Sequence, residues 1–161
     1  MARRISIPLL VLLLSSPVVA QQASNLAGFH RAGQTFLTWD EVASPGARYR
    51  VYRHTQPITT GNLNQATLVA DVDDQTSAYL NERAHPTPIQ QNFIIQDLGP
   101  ELLDTQGLFV WTAASSGSFY YAVTAVVNAV ENTTVSSGNS TGPVAEVVAD
   151  PKPVLVWQSP S

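Results

Sequence analysis

The most strongly patterned stretch of the chain is SFYYAVTAV, Ser118 to Val126. Phe119, Tyr121, Val123 and Ala125 fall on one face of an extended strand, and Tyr120, Ala122, Thr124 and Val126 on the other. The residues are mostly aromatic or β-branched, which suits a pleated and half-buried surface. With both faces apolar, the strand is predicted to lie inside a sheet rather than at its edge. A helix over the same residues would leave no polar stripe for solvent. Gly117 precedes the stretch as turn punctuation.

Shorter alternating runs surround it. QTFLTWD, residues 34–40, sets Thr35, Leu37 and Trp39 on one face, with Leu37 and Trp39 expected in the core. Trp39 offers on the order of 200 Å² of buried surface. RYRVYRH, residues 48–54, points Tyr49 and Val51 inward and Arg48, Arg50, Tyr52 and His54 outward. Further strands are predicted at 26–30, 67–72, 75–80, 108–112 and 143–148, and an apolar patch at 92–96. Turn clusters separate them at 31–33 and 43–46, and a polar loop at 56–64. Residues 97–107 read as irregular or as one helical turn at 101–104, and 128–139 as a polar loop. Short strands with turn signals and no helical period predict an all-β fold: an antiparallel two-sheet β-sandwich with a long irregular insertion at about 73–107.

Composition adds an address. Arg3 and Arg4, an apolar run from Ile5 to Leu14, and Val18 and Ala20 before Gln21 read as a signal peptide over residues 1–20. The apolar run is shorter than the ~20 residues that cross a bilayer. Residues 21–24 then form a short leader, 25–149 the sandwich, and 150–161 a linker and the start of a missing or truncated following region, with Val154 to Trp157 as a new apolar run. Removing Arg3 and Arg4 from the 8 basic residues leaves 6 against 12 acidic ones. That balance disfavours nucleic acid and, after signal cleavage, membrane surfaces as partners. With 0 cysteines, thiolate metal sites, thiol nucleophiles and disulfides are excluded.

Leu37-x-Trp39, Tyr49-x-Val51, Tyr121-x-Val123-x-Ala125 and the closing Ser140-Thr-Gly-Pro-Val144 together resemble a fibronectin type III domain over roughly residues 24–149. The resemblance implies an immunoglobulin-like sandwich in which Trp39 packs beneath a neighbouring strand. It also implies that Tyr121 makes a tyrosine corner, its hydroxyl bonded to nearby backbone. The wording GQTFLTW and YYAVTAV, with an export signal, also resembles the N-terminal module of bacterial secreted proteins, some of which continue into an α/β-hydrolase-like domain. The insertion makes this chain longer than the ~100 residues usual for such sandwiches.

Candidate chemistry is sparse. His30, His54 and His85 lack metal-ligand spacing and read as exposed strand-end and loop residues. Asp71, Asp73 and Asp74 lack the glycine and further oxygens of a calcium loop and read as a solvated turn. No GxSxG pentapeptide is present, and Ser115 to Ser118 is turn material. Glu41, Glu82, Glu101, Glu131 and Glu146 fall at strand ends and in loops, where they serve solubility. Asn132-Thr-Thr134 and Asn139-Ser-Thr141 match the N-glycosylation pattern, which marks an exposed loop in a eukaryotic setting. Phe36, Tyr52 and Tyr120 are predicted on outer faces, close enough to form a contact patch. Leu37, Trp39, Tyr49, Val51, Tyr121, Val123 and Ala125 are predicted as structural core. The expectation is a secreted or periplasmic module with no catalysis and no cofactor. It would act as spacer, docking or ligand-binding domain toward a neighbouring domain, an extracellular protein or a polysaccharide. The alternatives are the N-terminal part of a secreted hydrolase and a carbohydrate-binding module.

Overall fold

The computed structural model describes residues 21–81, 87 and 89–149. The signal peptide predicted over 1–20, His85, Glu82 and the segment 150–161 lie outside the described residues. The strands run β1 (Ser24–Arg31), β2 (Gln34–Asp40), β3 (Arg48–His54), β4 (Thr67–Asp73), β5 (Ala78–Asn81), β6 (Ile89–Asn92), β7 (Gln106–Thr112), β8 (Gly117–Val127), β9 (Val130–Glu131) and β10 (Val144–Glu146). One turn of 3-10 helix, Leu63–Gln65, lies in the loop before β4.

The fold is all-β and antiparallel, with two main sheets packed face to face. The first has the order β1-β2-β7; the second has β10-β8-β3-β4, with β9 added to β8. β5 and β6 form a separate two-stranded sheet within the insertion, where the sequence predicts one strand, at 75–80, in otherwise irregular chain. The strand expected at 75–80 begins only at Ala78, and residues 101–104 are irregular rather than helical. β8 lies between β10 and β3, the interior place that its two apolar faces require.

Alternation decides what enters the core. Leu37, Trp39, Tyr49, Val51, Tyr121, Val123 and Ala125 are all buried between the sheets. The Trp39 and Tyr49 rings meet at 5.4 Å, tilted by 52°. Trp39 stands opposite Gly107 on β7, and a Cβ there would come within 2.2 Å of the indole. The glycine thus makes room for the largest core side chain. The β1–β2 hairpin closes through Ala32 and Gly33, both at positive φ, as a two-residue turn between right-twisted strands requires.

Residues 22 and 23, read from sequence as a leader, belong to the sandwich. Ala23 is buried with the core, and the Gln22 side chain bonds the Ala125 N–H and the carbonyls of Asn132 and Thr134. The outer face of β8 is also covered. Ala122 packs with Ile58 and Leu63 from the 56–64 loop, which is therefore not simply polar chain. Asn139 is buried as well. Its amide donates to the carbonyls of Val123 and Thr134, and its Oδ1 accepts from the Ser136 N–H, so this asparagine is no exposed glycan acceptor.

Candidate functional site

Two polar clusters and one apolar surface stand out against this core. The first cluster lies between the sheets. Continuing the alternation of β3 past Tyr49 and Val51 sends Arg53 inward, and the alternation of β10 sends Glu146 inward. Glu146 is 2% exposed. Its Oε2 accepts from Arg53 Nη2 at 2.7 Å, and its Oε1 accepts from the Thr35 hydroxyl at 3.0 Å and from the Tyr121 hydroxyl. Arg53 Nε donates to the Tyr121 oxygen at 3.1 Å. The guanidinium carbon lies 3.2 Å from the Phe119 ring centroid and 5.4 Å from that of Trp111. His30 Nδ1 meets the Thr35 hydroxyl at 2.9 Å, and its Nε2 accepts from the Val147 N–H at 3.0 Å. Burial, then the bond to Glu146, pushes the Tyr121 phenol well above its ordinary range.

This cluster corrects two expectations. Glu146 is not a surface carboxylate, because the two-residue period of β10 places it beside Val144 on the inner face. The Tyr121 hydroxyl does not bond nearby backbone; Glu146 and Arg53 hold it instead. The backbone-bonded phenol is that of Tyr49, which accepts the Val42 N–H at 2.8 Å and whose pKa is pushed up to about 12, chiefly by burial.

The second cluster lies on the outer face of the larger sheet. Glu131 accepts from Arg50 Nη1 at 2.5 Å, from the Tyr52 hydroxyl at 2.7 Å and from the Thr124 hydroxyl at 2.6 Å. Burial alone would raise the Glu131 pKa, but the bonds from Thr124, Tyr52 and Arg50 outweigh it and hold the carboxyl below its ordinary value. Arg48 pairs with Asp71 at 3.0 Å and with Asp73 at 3.5 Å, and Arg50 reaches Asp71 at 3.7 Å. Asp71 and Asp73 are thus strand residues of β4 facing the β3 arginines, not a turn. Asp74, just beyond β4, accepts the Gly46 N–H at 2.8 Å. A cleft of about 390 Å³ opens beside Tyr52, lined by Thr60, Gly61, Leu63, Asn64 and Thr133. Among the described residues, no group of three or more His, Cys, Asp or Glu side chains could hold a metal ion.

The predicted aromatic patch does not assemble. Phe36 belongs to the other sheet, where it stacks on Phe29 at 5.0 Å beneath Arg31. Tyr52 and Tyr120 share the outer face of the larger sheet and are half-buried against the 56–64 loop. The sheet assignment separates these rings, because β2 and β3, though consecutive in the chain, belong to different sheets. The exposed large apolar residues lie mostly on the insertion, at Tyr79, Leu80, Ile89, Ile94, Leu98 and Leu103, with others at Leu68, Val130, Val147 and Val148. Regular patterning is weak there, so the sequence pointed elsewhere.

Fold and site together define a two-sheet antiparallel sandwich with a buried Arg–Glu–Tyr cluster and a hairpin-bearing insertion. No family model and no curated protein matches the chain. Among solved structures it is similar to a family 76 glycoside hydrolase from a bovine Bacteroides thetaiotaomicron strain, at 11% identity and a TM-score of 0.38. The match covers 78% of this chain and 20% of that one, and at this score the likeness carries no argument.

Proposed function

We propose that this chain is an exported, fibronectin type III-like module that acts by contact, spacing or docking a neighbouring domain or an extracellular surface, with no bond-making chemistry of its own. The observation that carries the reading is the partition of the sandwich into β1-β2-β7 and β10-β8-β3-β4. In a constant-type immunoglobulin domain the fourth strand belongs to the sheet of the first two. Here β4 pairs with β3 instead, in keeping with the fibronectin-like pattern of Trp39, Tyr49 and Tyr121. A contact role also fits the distribution of polar groups. Glu146 and Glu131 are each engaged by three donor side chains, an arrangement that fixes structure. Most of the large exposed apolar residues sit on the insertion, in chain outside the two main sheets.

The test is a turnover assay of the purified protein on ester and glycoside panels. The expected result is no release of product above the blank. Turnover that Glu131→Gln abolishes, with the protein still folded, would overturn the proposal.

A further inference from the structure

The cleft beside Tyr52 lies between two loops, 56–64 and 128–139, that are distant in the chain and fastened to each other. The Thr60 hydroxyl accepts the Val135 N–H at 2.8 Å across them. Within the first loop the Asn62 side chain accepts the Thr59 N–H at 2.7 Å and donates to the Pro57 carbonyl at 3.0 Å. Ile58 and Leu63 anchor the same loop in the apolar layer over Ala122. Tyr52 is held in turn, its ring packed on that layer and its hydroxyl bonded to Glu131. The walls are therefore in place before anything binds, which removes much of the ordering cost of a ligand site.

Two groups on the lining are left unbonded. Neither the Asn64 carboxamide nor the Thr133 hydroxyl has a hydrogen-bond partner among the described residues, and both are exposed. None of the lining residues is charged. Glu131, beyond the Tyr52 hydroxyl, is already neutralised by Arg50 and bonded by the Thr124 hydroxyl. Leu63 and Asn64 belong to the 3-10 turn, whose backbone is closed on itself: the Gln65 N–H bonds the Asn62 carbonyl and the Ala66 N–H the Leu63 carbonyl. The volume of about 390 Å³ is that of a small-molecule site.

We infer that this cleft binds a neutral saccharide, whose hydroxyls bond the Asn64 carboxamide and the Thr133 hydroxyl while Tyr52 and Leu63 meet its C–H face. The lining selects the ligand class. An ion would leave water here without a counter-charge, which burial makes costly. A purely apolar ligand would cover Asn64 and Thr133 and leave both unpaired. An extended peptide docks on a row of free backbone groups, and the closed 3-10 turn offers none. A pyranose meets both demands. Its hydroxyls donate and accept, as a carboxamide and a threonine hydroxyl do, and its ring carries an apolar face for an aromatic or aliphatic neighbour. The inference rests on the reading of the chain as a contact module and gives that contact a chemistry.

The experiment is a titration of the isotope-labelled full chain followed by NMR amide shifts, with circular dichroism as the check on folding. The probes are neutral tetrasaccharides: α- and β-linked glucose, β-linked mannose and β-linked N-acetylglucosamine. A galacturonic acid tetramer and an uncharged peptide of Ser and Gln are the controls. The expected result is that a neutral probe shifts the Gly61 amide and the Asn64 side-chain amide, saturating below about 10 mM. A Cβ at Gly61 meets nothing nearer than Thr59 Oγ1 at 3.8 Å, so Gly61→Phe adds bulk at the cleft without disturbing the fold and is expected to abolish binding. Asn64→Ala and Thr133→Val are each expected to raise Kd about three- to tenfold. Leu103→Ser, on the insertion, is expected to leave it unchanged. No shift with any neutral probe, binding of the acidic probe or the peptide alone, or binding indifferent to Gly61→Phe would each overturn the inference. Those results leave the non-catalytic reading standing, whereas cleavage of a bound neutral probe would overturn that reading and keep the site.

Discussion

Replacing Arg53 with methionine isolates the energetics of the buried cluster. Methionine roughly fills the aliphatic volume but removes the guanidinium that bonds Glu146 at 2.7 Å and the Tyr121 oxygen at 3.1 Å. Glu146, whose side chain is 0% exposed, would keep only the Thr35 and Tyr121 hydroxyls. Breaking a buried ion pair by removing one partner costs about 3–5 kcal/mol, because the remaining charge stays in a low-dielectric site. Loss of the contact with the Phe119 ring adds up to about 2 kcal/mol, partly offset by methionine's own packing. The expected loss is therefore about 3–5 kcal/mol, a large share of the 5–15 kcal/mol that holds an ordinary domain. Urea unfolding followed by tryptophan fluorescence reads it directly. The double variant Arg53→Met/Glu146→Gln is expected to be more stable than Arg53→Met alone, since the amide carries no charge but keeps an acceptor for Thr35 and Tyr121. A cost below about 1 kcal/mol for the single variant, or simple additivity of the two changes, would refute the assignment of Arg53 and Glu146 as a coupled buried pair.

Trp39→Ala is expected to cost about 3–5 kcal/mol by chemical denaturation, as the largest core side chain leaves a cavity. Gly107→Ala is expected to cost about 1–3 kcal/mol in the same assay, because the new methyl group would strike the Trp39 indole from the facing strand. Tyr49→Phe leaves the Val42 N–H without its phenol acceptor and is expected to lose about 1 kcal/mol. Glu131→Gln tests pH linkage. Because the folded state holds the Glu131 pKa below its ordinary value, the contribution is present above the unfolded value of about 4.3 and is lost as pH falls through the lowered one. The stability gap between wild type and Glu131→Gln is therefore expected to narrow on acidification below about pH 4.3, and a gap constant across that window would contradict the hydrogen-bonded carboxylate.

The amino-acid sequence by itself determined the strands with a strict two-residue period and the core they carry. QTFLTWD and RYRVYRH occupy the bounds that their alternation sets, and β8 extends its predicted span by one residue at each end. Burial of Leu37, Trp39, Tyr49, Val51, Tyr121, Val123 and Ala125 follows from the same local geometry, since alternate side chains of a strand point to opposite faces whatever the strand pairs with. Pairing is another matter. Which sheet receives β2 and which β3 depends on contacts across the whole chain, and that choice parts Phe36 from Tyr52 and Tyr120. It also brings Arg53 onto Glu146, 93 residues away, and turns two apparently soluble side chains into an interior pair. The alternation at 75–80 announced β5 only approximately and β6 escaped the pattern, because Tyr79, Leu80 and Ile89 are exposed apolar residues among amides, with no buried face to impose a period. Local stereochemistry writes the strands into the chain, while the partner of a charge or of an edge is fixed only when distant segments share one low-dielectric space.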